Sequence, residues 1–377
     1  MESPQMQESP QSSRLDDARI LFVISVGLAF LPRLFLLARL PGNDISLKII
    51  ESGKDWAQSG QWRPFRSPGS PMYEYWIGML ANSVQSSSIP AFVFANILSA
   101  LCVAASLYLL YWIFREGLSP RMSLLGVALF NFYPHEWVLG ASTTDVNFMM
   151  LFGIASVFAL MKDRTAIALI LCFLAVGSRI QALALAFPLL AAACYREWRA
   201  RKFSRLLLWP VLSLLFAAAV FFPSWRVFGW NLFSQPYHRG EFSKAQEIGA
   251  FLLRAGNMLG PLGLVIAAVA LLRNERRMFR ECSALGFVAL GTALLTFCVF
   301  ALAPWETFYL LPIVPGAIFL VLRYTKSPAI VALFAISALL PNLIQVQIRP
   351  WKMPPYVIRD GVIQAHLRED WNTRGGG

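Results

Sequence analysis

The chain has 377 residues, of which 57% are hydrophobic and 14% charged, and its 33 Lys and Arg against 21 Asp and Glu give a formal charge of +12. Soluble domains carry roughly a quarter charged residues and disordered chains are poor in aromatics, so this apolar excess with 14% Phe, Trp and Tyr excludes both classes. An all-α polytopic membrane protein fits instead, each crossing using about 20 apolar residues.

The first apolar run spans 20–37 and lacks a small-residue cleavage signature, which predicts a retained helix and not a signal peptide. Later runs near 90–114, 121–134, 143–161, 165–178, 180–195, 206–223, 256–272, 283–303, 309–322 and 327–343 bring the expectation to about eleven crossings. The basic residues form short clusters between these runs: Arg115/Arg121, Lys162/Arg164, Arg196 to Arg205, Arg273 to Arg280 and Arg323/Lys326. Charges so placed orient a membrane protein and do not build a nucleic-acid surface. Every second connection is basic, so the tail 1–19 is expected in the cytoplasm. The loops 39–89 and 224–255 and the tail 344–377 are expected outside, around one transmembrane domain over 20–343. Cys102, Cys172, Cys194, Cys282 and Cys298 lie in apolar stretches without a CxxC pair, which reads as packing and not as zinc or disulfide chemistry.

One pair of runs is too short. Lys162/Arg164 and Arg196 are both expected on the cytoplasmic side, yet the legs between them fall short of two full crossings. The turn at Gly177-Ser178-Arg179 is therefore expected inside the outward half of the bilayer, where non-helical backbone needs protein or a wet cavity beside it. Arg179 becomes an intramembrane charge, either functional or held by a structural partner.

The outward connections hold the remaining chemistry. Ile45, Ile49 and Trp56, with Ser52 and Gly53 in the gap, predict a helix lying in the interface with its apolar face down, opened by Asp44 after Leu40-Pro41-Gly42-Asn43. Asn43 or Asp44 would equally serve as its cap. Two prolines and a glycine in Arg66-Ser67-Pro68-Gly69-Ser70-Pro71 mark a turn, followed by Tyr73, Glu74 and Tyr75. A second acidic group runs Pro134-His135-Glu136-Trp137 and Gly140-Ala141-Ser142-Thr143-Thr144-Asp145, where Ser142 or Thr143 is a natural cap and Asp145 a first-turn partner of the dipole.

The order of these pieces, "LPGND", "RSPGSPMYEYW", "NFYPHEWVLGASTTD" and "GSRIQALALAFPLL", resembles the C-type superfamily of polytopic glycosyltransferases. That superfamily includes protein O-mannosyltransferases, aminoarabinose transferases and bacterial lipid-glycan transferases. The resemblance covers roughly residues 20–200. It implies that Asp44 matches the first-loop catalytic acid and Asp145 the second-loop acid. Two departures stand out: Ile45 follows Asp44 where many relatives have a second acid, and Glu306-Thr307-Phe308-Tyr309-Leu310 lacks the basic residue common before the late "YLLPIVP"-like helix. The first weakens a paired-carboxylate metal site, so no metal is expected, and the second means that phosphate binding must come from elsewhere; no cofactor is expected.

An outward-facing transferase has no cytosolic nucleotide sugar, so the expected donor is a sugar on an isoprenoid phosphate, and the acceptor a hydroxyl of a lipid, glycan or protein. Asp44 is the expected base, with Asp145 orienting the acceptor or sharing its proton. Arg179, Arg226 and Arg239 are the expected phosphate contacts. Tyr73, Glu74, His135 and Glu136 are expected at the acceptor or the membrane interface, His135 not as a base. The expected location is a bacterial inner membrane. The rival classes are a lipid-linked sugar flippase or other transporter, built around Arg179 and Gln181, and a non-catalytic membrane subunit. The chain shows no internal repeat, and its carboxylates gather in outward loops and not at mid-helix.

Overall fold

The computed structural model describes residues 10–37, 44–64, 70–133, 136, 139–229, 244–281, 283–302, 307–325, 327–339, 357–359 and 362–364. The described chain is helical apart from a short antiparallel hairpin, β1 (Val357–Arg359) and β2 (Val362–Gln364). Helix α1 (Pro10–Phe30) continues through a 3-10 turn (Leu31–Arg33) into α2 (Leu34–Leu37). The first connection folds as α3 (Asp44–Ser59) and α4 (Pro71–Ser83). Then come α5 (Ala91–Arg115), α6 (Pro120–Asn131), α7 (Asp145–Met161) and α8 (Thr165–Ser178), a 3-10 turn (Ile180–Ala182), α9 (Leu183–Arg199) and α10 (Phe203–Phe228). The last group is α11 (Lys244–Leu259), α12 (Pro261–Glu281), α13 (Ser283–Leu302), a 3-10 segment (Thr307–Ile313), α14 (Val314–Tyr324) and α15 (Pro328–Leu339).

Where they are described the apolar runs of the sequence are mainly helical, but 20–37 passes through a 3-10 turn, 256–272 straddles the break at Gly260 between α11 and α12, and 180–195 and 309–322 open in 3-10 segments. Among the described residues, α5 with 25 residues and α10 with 26 are long and apolar enough to cross a membrane. Their surroundings differ: α5 packs against α1, α6 and α7, whereas α10 shows most of its apolar surface. Boundaries follow local chemistry. The Ser119 hydroxyl accepts from the Met122 amide at 3.4 Å and Pro120 takes the first helical position of α6, where a missing N–H costs nothing. Thr144 caps α7, accepting from the Val146 amide at 3.3 Å, so the cap lies one or two residues beyond the Ser142 or Thr143 expected.

Three sequence expectations are corrected. The stretch 224–255 is not a loop throughout: α10 runs on to Phe228 and α11 occupies 244–259. Lys244, Glu247 and Arg254 interrupt the sequence of α11, and only its last residues, 256–259, belong to an apolar run; Ala255, Met258 and Leu259 are buried. Helix α1 begins at Pro10, inside the expected tail. The buried residues of α3, Ile49, Ile50, Ser52 and Gly53, face protein, joining Tyr73, Ile77, Ala95 and Phe148 in a core between α3, α4, α5 and α7. Two glycines permit it. A Cβ on Gly53 would sit 2.9 Å from the Gly78 amide and collide with the Glu74 carbonyl, and one on Gly78 would strike the Gly53 backbone. The two helices touch main chain to main chain.

The basic connections meet at one end of the bundle. Lys162 pairs with Glu116 at 2.9 Å, Arg196 pairs with Asp163 and donates to the Leu160 carbonyl at 2.7 Å, and Arg323 donates to the Gly117 carbonyl. Helix α7 runs from there to the opposite end, where Asp145 stands at its N-terminus. Helix α8, with 14 residues, is roughly 21 Å long at 1.5 Å per residue, short of a hydrocarbon core of about 30 Å. Its far end breaks at Arg179.

Candidate functional site

The site forms where the first connection meets the start of α7 and the break after α8. Gly177 lets them close: a Cβ there would lie 2.5 Å from Met72 Cγ and 2.7 Å from Val220 Cγ1, so α4 and α10 settle against the last turn of α8. Arg179 then leaves the helix in extended backbone, and its buried guanidinium turns inward.

Arg179 Nη1 and Asp145 Oδ1 make a buried ion pair, with side chains 7% and 2% exposed. Arg179 Nε also donates to Gln181 Oε1, and the guanidinium lies over the Tyr309 ring, 5.5 Å from its centroid. The other Asp145 oxygen, Oδ2, accepts from the Ser70 hydroxyl at 2.6 Å. Ser70 occupies the N-cap of α4, yet its hydroxyl makes no cap bond. The Ser70 amide instead donates to Glu74 Oε1 at 3.0 Å. Glu74 Oε2 in turn accepts from Ser52 Oγ at 2.9 Å and Trp62 Nε1 at 2.5 Å. A continuous polar chain therefore runs from α3 through Glu74, Ser70 and Asp145 to Arg179 and Gln181.

Beside it lies an apolar cavity of about 150 Å³ between α5, α7, α9, α13 and α14, walled by Met149, Ile154, Pro312 and Phe319 among others. Gln181 and Thr292 supply its polar side chains. Thr292 Oγ1 is buried and has no hydrogen-bond partner among the described residues. An apolar cavity of this size accommodates a ring-sized hydrocarbon. Gln181 thus touches both the cavity and the cation.

The expected residues distribute unevenly. Asp145, Arg179 and Glu74 share the polar chain, but Glu74 is wholly buried and saturated by Ser52, Trp62 and Ser70, so it offers nothing to an acceptor. Tyr73 is equally buried, edge-on to Phe148 at 5.0 Å, and acts in packing. Arg226 is exposed in the last turn of α10, with no hydrogen bond or ion pair to the cluster among the described residues. Asp44 begins α3, but its side chain lies outside the described residues, as do His135 and Arg239 altogether.

Glu136 sits in the connection before α7, 1% exposed, and burial raises its carboxyl from 4.5 to about 7, with Arg33 opposing the shift. Its backbone oxygen accepts from Arg33 Nη2 at 3.2 Å, while its Oε2 has no hydrogen-bond partner among the described residues. Arg33 is fully buried and also donates to the Ala29 carbonyl at 2.7 Å and Asn131 Oδ1 at 2.9 Å, tying the first helix to the connection that carries Asp145. Sequence reasoning passed over Arg33, Ser70 and Trp62. Ser70-Pro71 reads as a helix start, and nothing local tells that the hydroxyl turns to a residue 75 positions away. Among the described residues no group of three His, Cys, Asp or Glu gathers as a metal site.

The sequence matches no protein-family model and no curated protein at a significant level.

Proposed function

We propose that the protein is a polytopic membrane glycosyltransferase of about eleven crossings that moves a sugar from an isoprenoid-phosphate donor to an acceptor hydroxyl on the extracytoplasmic side. The observation that carries this reading is the buried Asp145–Arg179 pair at a broken hairpin, joined through Gln181 to an apolar cavity. A buried ion pair contributes little net stability compared with apolar packing, so a pair linked through Gln181 to a cavity points to use. Arg179 faces the phosphate, because its planar fork suits phosphate oxygens and its charge meets the negative charge growing on the leaving group. The cavity takes a segment of the isoprenoid, and the rest of that chain lies in the bilayer.

The acceptor hydroxyl loses its proton to a carboxylate as its oxygen attacks the anomeric carbon. The bond from that carbon to the phosphate oxygen breaks, and its electron pair leaves on the lipid phosphate. We assign the proton to Asp44 and the orientation of the acceptor to Asp145. The basic clusters gathered at the opposite end of the bundle support a cytoplasmic assignment for that end, which turns Asp145 outward. The test is to incubate membranes with candidate isoprenoid-linked sugars and identify by mass spectrometry what gains the sugar. Membranes holding the protein should form product, and Asp44→Asn should lower the rate by about 10²-fold or more while leaving the fold intact, since Asn caps as well as Asp. Equal product in membranes without the protein refutes the activity.

A further inference from the structure

The turn between α9 and α10 carries a residue that its backbone does not favour. Two amides close the end of α9: that of Arg201 donates to the Trp198 carbonyl at 3.0 Å and that of Lys202 to the Glu197 carbonyl at 2.9 Å. Such a turn puts the residue after the cap in the left-handed region, where glycine is usual, yet Arg201 stands there at φ 58°. Asp163, the other non-glycine residue at positive φ among the described residues, has a local reason in its ion pair with Arg196. Arg201 has none: its side chain is exposed and makes no hydrogen bond or ion pair among the described residues. A strained backbone that displays an unpaired charge points to a partner outside the chain.

The neighbours of Arg201 extend the surface. Lys202 and Arg205 are exposed without a side-chain partner among the described residues, and Arg199 reaches the Tyr195 hydroxyl at 3.5 Å. Glu197, the one acid between 195 and 205, is buried and accepts from Trp209 Nε1 at 3.4 Å, so it answers none of these cations. Tyr195 and Trp198, their rings 5.9 Å apart, are exposed beside them, as is Phe203. Leu207, Leu208 and Val211 then continue along α10 as an exposed apolar strip, spaced three and four residues apart and so on one side of the helix. Cations, aromatic rings and an apolar strip in this order match an anionic headgroup with its acyl chains. A soluble anion would leave the rings and the strip uncovered.

We propose that the α9–α10 turn is a binding surface for an anionic phospholipid, whose phosphate meets Arg199, Arg201, Lys202 and Arg205 while its acyl chains lie along Leu207 and Val211. The inference is independent of the sugar-transfer reading and needs only that α10, which is long and apolar enough, crosses a bilayer. Basic residues that merely orient the chain would do so from any backbone conformation, and glycine at position 201 would serve the turn better.

The experiment titrates the purified full chain in detergent micelles with dioleoyl phosphatidylglycerol or dioleoyl phosphatidylcholine, counts bound lipid by native mass spectrometry, and follows thermal unfolding of the same samples. Phosphatidylglycerol should bind about tenfold more tightly than phosphatidylcholine. Arg201→Gly and Arg201→Gln should each weaken phosphatidylglycerol about fivefold, the share of one cation at a lipid surface, and leave phosphatidylcholine unchanged. Without lipid, Arg201→Gly should raise the melting temperature by about 2 °C by relieving the left-handed backbone, so its weaker binding cannot come from misfolding. Lys48→Gln, which removes an equal and exposed charge from α3, should change neither lipid's binding. Equal binding of the two lipids, or wild-type binding by both Arg201 variants, overturns the proposal and leaves the cluster as a topology signal. A loss in Lys48→Gln equal to that of the Arg201 variants assigns the preference to net charge and overturns the site. A lower melting temperature in Arg201→Gly refutes the strain from which the proposal starts. Displacement of phosphatidylglycerol by inorganic phosphate or by polyglutamate at constant ionic strength assigns the cations to a soluble anion and overturns the lipid.

Discussion

The Asp145–Arg179 pair makes a prediction whose size follows from its surroundings. In Asp145→Asn the guanidinium keeps Gln181 and the Tyr309 ring but loses the Asp145 carboxylate, with only 7% of its side chain exposed. Removing one partner of a buried pair costs about 3–5 kcal/mol. Arg179→Met should cost less, by up to about 2 kcal/mol, because the remaining carboxylate keeps the Ser70 hydroxyl and stands at the N-terminus of α7, where the helix dipole favours a negative charge. The double variant removes both members of the pair. Its cost should fall at least about 2 kcal/mol below the sum of the single costs, which is about thirtyfold in the unfolding constant. The assay is a double-mutant cycle by denaturant unfolding in mixed micelles, followed by tryptophan fluorescence. A coupling below about 0.5 kcal/mol, the level found for exposed pairs, would mean that water reaches the two ions and would refute the argument for a dry site.

Two further outcomes follow from the packing around the site. Gly78→Ala places a methyl group against the Gly53 backbone, so it should cost about 1–3 kcal/mol and speed proteolysis between α3 and α4, and Gly53→Ala should do the same; normal stability in both would refute the close crossing. Glu136 carries a folded-state carboxyl raised from 4.5 to about 7, so the folded protein binds this proton more tightly than the unfolded chain, and stability is lost as pH rises through that window. The gap is worth roughly 3 kcal/mol at 1.36 kcal/mol per unit. The melting temperature should therefore fall more steeply between pH 5 and pH 8 in the wild type than in Glu136→Gln, taking those endpoints as roughly bracketing the shift. Parallel curves would contradict it.

The helical architecture was legible because hydrophobic runs and charged breaks lie along the chain. The short legs around Arg179 were legible for the same reason: Lys162, Arg164 and Arg196 leave too few residues between them, and α8 does end at Ser178. What escaped was lateral. The first turns of α11 mix Ile248, Phe251 and Leu252 with Lys244, Glu247 and Arg254, and no run length marks such a stretch. The apolar face of α3 was visible, but whether it met lipid or protein depended on Gly78, 25 residues further on. Glu74, expected at the acceptor or the interface, is enclosed by Ser52, Trp62 and Ser70, and Arg33, which carries no local signal, is enclosed by Asn131 and the Glu136 carbonyl. In each case the deciding partner is supplied by tertiary packing.

The account stands on the donor lipid entering the bundle beside Arg179, and a photoreactive polyprenyl phosphate tests that directly. With the protein in nanodiscs, cross-links mapped by peptide mass spectrometry should concentrate on the cavity-lining residues of α7 and α14, such as Met149, Ile154 and Phe319, and should be lost on competition with undecaprenyl phosphate and in Arg179→Ala. Cross-links spread along the open apolar surface of α10, indifferent to the competitor and to Arg179, would mark the probe as bulk lipid and contradict the account.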